Sequence, residues 1–148
     1  MTTKKRTVTG TPSIQVFLTL QRTLHKITND IYSTLHTNNL TASQFSVLEA
    51  LHRHGPMVQR DLAEQIMKTT GNITTVIDNL EKHGLVERIR GEKDRRYFEI
   101  VLTAEGSRLI KKFYPVHLKQ VEKVIGLLTD EEKKELTRIC GILEHVEE

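Results

Sequence analysis

The chain has no tryptophan, three prolines and a single cysteine, Cys140. One thiol excludes an internal disulfide framework and any multi-thiolate metal site built by one chain. No apolar run approaches the roughly 18 residues a membrane-spanning helix needs, and the N-terminus lacks the apolar core of an export signal. A membrane partner is therefore not expected and a cytoplasmic location is. Catalytic signatures are missing too: there is no Gly-rich phosphate loop, no His-Glu-x-x-His and no nucleophile elbow. Neither an enzyme, nor a resident cofactor, nor a metal is expected. Charge excess is small, at +3 over 148 residues. From 41 to 106 nine Lys and Arg face ten Asp and Glu, yet within 88 to 96 five bases meet two acids. A non-specific coat on a polyanion is thereby disfavoured, and binding to one would rest on a few placed contacts, doubled in a dimer.

What is present fits a globular chain with a sizeable core, at 28% charged and 37% apolar. Its organising stretch runs from Thr69 to Leu102. Ile73, Val76, Ile77 and Leu80 recur at helical spacing and form one buried stripe, while Gly71, Asn72, Thr74, Thr75, Asp78, Asn79 and Lys82 make a short-chained polar face. Gly84 should stop this helix. The β-prone runs Leu85 to Arg90 and Tyr97 to Leu102 then flank the charged segment from Gly91 to Arg96, which reads as a hairpin with a charged tip. Amphipathic helices and charged hairpins are each commonplace. Side by side, they point to a helix for the DNA major groove and a wing for an adjacent groove.

Before this stretch, residues 1 to 12 read as a polar arm whose Lys4, Lys5 and Arg6 are more simply solvated than phosphate-bound. Ile14, Phe17, Leu20, Leu24, Ile27, Ile31 and Leu35 predict a long amphipathic helix from Ser13 to about Thr37. Thr41 and Gln44 have capping-box spacing ahead of a helix with Phe45, Val47, Leu48 and Leu51 inward, ended by Gly55-Pro56. His52 and His54 lie two apart, on opposite sides of that helix, so no metal site is assigned to them. Residues 57 to 66 predict a short helix with Leu62, Ala63 and Ile66 inward, and Thr69 is the expected N-cap of the polar-faced helix. After Thr103, a further cap, a helix should run from Ala104 to about Leu127 with a bend at Pro115. Thr129 and Glu132 form a second capping box before a last helix with Leu136, Ile139, Cys140, Leu143 and Val146 on one seam. The long apolar stripes of the first and last helices have little to cover them in a monomer, which argues for a dimer formed through Ile14, Phe17, Leu136, Ile139 and Leu143. On that seam Cys140 is expected to be a small, shielded core residue, with a redox switch as the alternative.

Short helix, turn, polar-faced helix and hairpin together make a winged helix-turn-helix, mainly α with a small β-hairpin wing and long terminal dimerisation helices. The expected division is 1–37 for the arm and first dimerisation helix, 38–103 for the winged module and 104–148 for the C-terminal dimerisation helices. Five segments carry a resemblance to the MarR family of bacterial regulators: L-T-x-x-Q-F-x-V-L (Leu40 to Leu48), Asp61-Leu62-Ala63, D-x-L-E-x-x-G-L-V-x-R (Asp78 to Arg88), Asp94-Arg95-Arg96 and L-T-x-x-G (Leu102 to Gly106). The resemblance implies a homodimer that binds double-stranded DNA at palindromic operators, often as a repressor, and lets go when a small molecule or oxidant acts. It also implies that Asp94 braces the wing turn and that Arg96 either pairs with an acid such as Asp78 or enters the groove. Arg60, Thr70, Gly71, Asn72, Thr74, Thr75, Asn79, Lys93, Arg95 and Arg96 are the candidate DNA contacts, with Asp78 and Asp94 as wing architecture. Two positions depart from the family pattern: Thr70-Gly71 follows Thr69 where Pro is common, and Thr75 stands where many members are basic. Thr and Asn read thymine methyls and adenine edges, so base reading falls to them here. No pattern names the contacts of an effector. The alternative from another class is a winged-helix protein-interaction module without specific DNA binding.

Overall fold

A computed structural model describes residues 10–35, 39–66 and 70–145. Its elements are α1 (Pro12–Tyr32), α2 (Ala42–His54), β1 (Met57–Val58), α3 (Gln59–Gln65), α4 (Thr70–Lys82), β2 (Val86–Arg90), β3 (Phe98–Leu102), α5 (Ala104–Ile125) and α6 (Asp130–Glu144). Lys4, Lys5, Arg6, the expected cap Thr69 and Val146 lie outside the described residues.

Helix α1 begins one residue before the expected Ser13. Pro12 has no amide to leave unpaired in the first turn, and Thr11 Oγ1 accepts the Ile14 amide at 3.5 Å. The helix ends at Tyr32, short of Thr37, because the chain turns to send Leu35 into the core, where it is 3% exposed. Helix α2 carries the capping box in full: the Gln44 amide donates to Thr41 Oγ1 at 3.1 Å and the Thr41 amide to Gln44 Oε1 at 2.9 Å. Beyond Gly55 the structure corrects the sequence reading. Met57 and Val58 form strand β1, not the start of a helix, and pair antiparallel with Ile100 and Glu99. Two residues are too few to show a period of two. The sheet order is β1-β3-β2, with Val86 opposite Leu102 and Arg90 opposite Phe98, so each hairpin strand starts one residue later than expected.

The root of the hairpin is tightly specified. Gly84 adopts φ 70°, and the bonds Gly84 N–H to Glu81 O (2.9 Å) and Leu85 N–H to Leu80 O (2.9 Å) close α4 in the double-bonded left-handed cap that glycine favours. Thr103 then serves two ends at once, donating to Gly84 O at 2.6 Å and accepting the Gly106 amide at 3.0 Å as N-cap of α5. A Cβ on Gly106 would sit 1.9 Å from Leu85 O, so only glycine lets α5 start against the wing root. These contacts explain the L-T-x-x-G motif.

Phe45, Leu48, Leu62, Ile73, Ile77 and Leu80 are fully buried and unite α2, α3 and α4; Val86 and Ile100 of the sheet and Ile110 of α5 join the same cluster. Helix α5 remains one helix on both sides of Pro115, with Ile110 and His117, two turns apart, both buried. His117, which the sequence did not single out, lies among the rings of Tyr32, Phe45 and Tyr114, with Nε2 3.9 Å from Glu49 Oε1 and no hydrogen-bond partner for Nδ1 among the described residues. Burial pushes its imidazole below the ordinary range, opposed by the Glu49 charge.

The outer helices differ. Neither α1 nor α6 buries a residue, and Ile14, Phe17, Leu136, Ile139 and Leu143 are all exposed in the single chain. Cys140 is exposed as well in the single chain, on the same seam, which no other described element covers. No described helix is long and apolar enough to cross a membrane.

Candidate nucleic-acid interface

Helix α4 presents its polar side in two unequal parts. At about 100° per residue, Ile73, Val76, Ile77 and Leu80 face inward, and the remaining positions fall on an outward pole with two flanks. Thr74, Asp78 and Glu81 share one flank, and the protein's own elements hold it. Gln59 Nε2, at the start of α3, donates to Thr74 Oγ1 at 2.5 Å, leaving Thr74 half-buried. Asn72, Thr75 and Asn79 are exposed on the remaining surface, together with Lys82. Thr74, one of the four side chains expected to share one face, thus turns to Gln59 of the protein's own α3. Thr70 and Gly71 form the first turn of α4. Arg60 stands on α3, exposed, with its Nε 3.5 Å from Asp61 Oδ1.

The other contacts on that flank come from Arg88 of β2. Its Nη2 reaches Asp78 Oδ1 at 2.6 Å, its Nη1 bonds Glu81 Oε2, and its backbone amide donates to Glu81 Oε1 at 3.3 Å. Asp78 does tie the wing to the helix, but through Arg88. Of the two roles expected of Arg96 it takes the first, pairing with an acid, but the acid is Asp94, two residues away at the tip, and not Asp78. The signal for Arg88 was in the D-x-L-E-x-x-G-L-V-x-R segment, since a base two residues after the buried Val86 must face the helix that Val86 packs on. Gln59 left no sequence signal beyond its place at a helix start.

The tip of the wing is organised by Asp94 and Arg90. Asp94 Oδ1 accepts the Arg96 amide at 3.0 Å, and its two oxygens grip the guanidinium, Nε to Oδ1 at 3.0 Å and Nη2 to Oδ2 at 2.7 Å. The Arg96 side chain, then its amide, hold the Asp94 carboxyl below the usual carboxylate range, and Asp94 holds Arg96 above its ordinary value. Asp94 thus braces the turn. Arg90, counted in the sequence only as charge, donates to Arg95 O at 2.8 Å and lays its guanidinium 4.8 Å from the centre of the Phe98 ring, its cross-strand neighbour. Lys93 and Arg95 project from the tip, exposed and without an ion pair among the described residues. A polar helix pole and a tip with two extended cations, mounted on one hydrophobic core, form a surface that can seat a helix in a major groove and reach flanking phosphates.

Comparison with known proteins agrees with this geometry. The sequence profile of the MarR family matches residues 40–98. The Bacillus subtilis regulator MhqR is 28% identical over 127 residues, spanning 86% of this chain and 88% of its own. YwoH, an uncharacterised helix-turn-helix regulator of the same organism, is 32% identical over 100 residues, spanning 68% and 72% of the two chains. The crystal structure of AbsC, a MarR family transcriptional regulator from Streptomyces coelicolor, superposes with a TM-score of 0.83 at 28% identity, covering 95% of this chain and 98% of AbsC. With the winged helix-turn-helix, the polar α4 pole and the braced wing in place, the chain belongs to the MarR family of DNA-binding transcriptional regulators.

Proposed function

We propose that the protein is a homodimeric, cytoplasmic repressor that binds a palindromic operator, placing one α4 in each of two major-groove half-sites. The exposed Asn72, Thr75 and Asn79 beside a basic wing tip carry this reading. Asn72, Thr75 and Asn79 read base edges, with Thr70 and Gly71 bringing the helix start close to the backbone. Thr74 contributes by fixing α4 on Gln59. Lys93 and Arg95 contact phosphates or a narrow minor groove, Arg96 keeps the turn in shape, and Arg60 reaches the flanking backbone. Two protomers joined through α1, α5 and α6 would present half-sites about one helical turn apart. The role is one of binding, not catalysis.

A small-molecule or oxidative signal would end binding. A cavity of about 240 Å³ beside His117, lined by Tyr32, Ser46, Glu49, Arg53 and Ile66, supports a small molecule lodging between α1 and the winged module. An oxidative signal through Cys140 is less favoured, because a dimer closed on the α6 seam would cover that thiol.

The test is titration of the purified dimer onto its own upstream DNA and onto a scrambled duplex across a salt series. Tight binding to the first, and weak, steeply salt-dependent binding to the second, is the expected result. Equal, weak affinity for both would instead favour a protein-interaction module.

A further inference from the structure

We propose that Arg88 is the intramolecular counterion of α4, a positioning residue that makes the helix acceptable to DNA without itself touching it. The proposal rests on the reading of α4 as the groove helix. That helix carries two carboxylates on its polar side, Asp78 and Glu81, whose side chains are 60% and 41% exposed. A helix in the major groove is walled by phosphates, and a carboxylate within a Debye length of about 8 Å of them is repelled. Asp78 lies next to Asn79 in sequence and one turn from Thr75, so its charge cannot be kept far from the bases those two would read.

The structure deals with both acids through one side chain. Arg88 is 24% exposed, and its two terminal nitrogens each take a different carboxylate while its backbone amide takes a second oxygen of Glu81. Its planar fork suits this bridging, which a lysine ammonium would not reproduce with the same fixed geometry. The carboxylates are drawn toward β2, on the flank that also carries Thr74, and away from the Asn72 and Thr75 side. Because β2 is one arm of the wing, the same bridge sets the wing against α4.

Bridge and counterion are separable roles, and charge-neutral variants separate them. Binding to the protein's own upstream DNA and to a scrambled duplex is measured across a salt series for wild type, Arg88→Met, Asp78→Asn/Glu81→Gln, and the triple variant, with melting temperature and sedimentation for each. Arg88→Met should bind both duplexes about tenfold more weakly at low salt, with the deficit shrinking as salt rises. The triple variant should regain most of that loss, although the bridge is gone. Asp78→Asn/Glu81→Gln should bind both duplexes more tightly than wild type, since it removes two repulsive charges and leaves Arg88 in place. Weaker binding by folded, dimeric Asp78→Asn/Glu81→Gln, or a triple variant as poor as Arg88→Met, would overturn the counterion role and leave Arg88 a strap for the wing. If Arg88→Met does not fold, the sign of the Asp78→Asn/Glu81→Gln effect alone decides. A wild type that binds neither duplex would refute the groove reading itself.

Discussion

Two helices with the same kind of apolar stripe end in opposite surroundings. On α4, Ile73, Ile77 and Leu80 are fully buried; on α6, Leu136, Ile139 and Leu143 are 41%, 41% and 53% exposed. Periodicity is equally clear in both, so it identifies a face that wants cover without saying what covers it. Helix α4 finds α2, α3 and β2 within its own chain. Helix α6, like the N-terminal part of α1, finds nothing comparable among the described residues, and in the proposed dimer a second copy would cover it. The winged module is therefore stabilised within one chain, whereas the terminal lobe would be stabilised by the proposed association.

Breaking the inner side of this contrast should have the largest effect. Phe45→Ala removes a fully buried ring that meets Tyr32 and His117, and should cost about 3–5 kcal/mol in urea unfolding. Breaking the outer side, Leu136→Asp or Leu143→Asp should forfeit about 2–3 kcal/mol of seam burial per protomer. Sedimentation should then show monomers at micromolar concentration, where wild type should be dimeric. A wild-type protein that is a folded monomer there would remove the contrast altogether.

On the proposed DNA-facing surface the contrast narrows to neighbouring residues. Thr75→Ala should lose about 1–3 kcal/mol on the operator and relax preference at one position in each half-site. Thr74→Ala should alter preference less and lower stability by about 1 kcal/mol, because the hydrogen bond from Gln59 is removed. The reverse ranking would show that α4 enters the groove by the other flank. At the wing, Arg95→Ala should flatten the log-log salt dependence by about 0.9 for each phosphate it no longer neutralises, twice that in the dimer, and equally on operator and scrambled DNA. Arg96→Ala should weaken binding further, because it also frees the Asp94 turn. If the slope is unchanged in both variants, the tip does not reach DNA.

The smallest effect sits where the two regions meet. His117 resists protonation in the folded chain, so its folded pKa lies below the unfolded value near 6.5. The unfolded state then binds more protons in the window below that value, and stability falls as pH falls through it. His117→Phe should flatten this dependence between neutral and mildly acidic pH in urea titrations. An equally steep pH dependence in the variant would assign the titration elsewhere.

Sequence alone determined the elements whose cause is local. The capping boxes at Thr41 and Thr129, the stop at Gly84, the buried stripe of α4 and the charged tip all follow from side chains acting on backbone within a few residues, so they are legible in one dimension. The tertiary structure decided what depends on neighbours distant in the chain: strand β1 on β3, Leu35 leaving its helix for the core, Thr74 held by Gln59, Asp78 and Glu81 held by Arg88 instead of Arg96, and His117 closed in by rings from α1, α2 and α5. Apart from Arg88, whose register two residues after Val86 turns it toward α4, each of those is a choice among partners that the sequence offers equally, settled by which side chain the packed core brings within hydrogen-bonding or van der Waals distance.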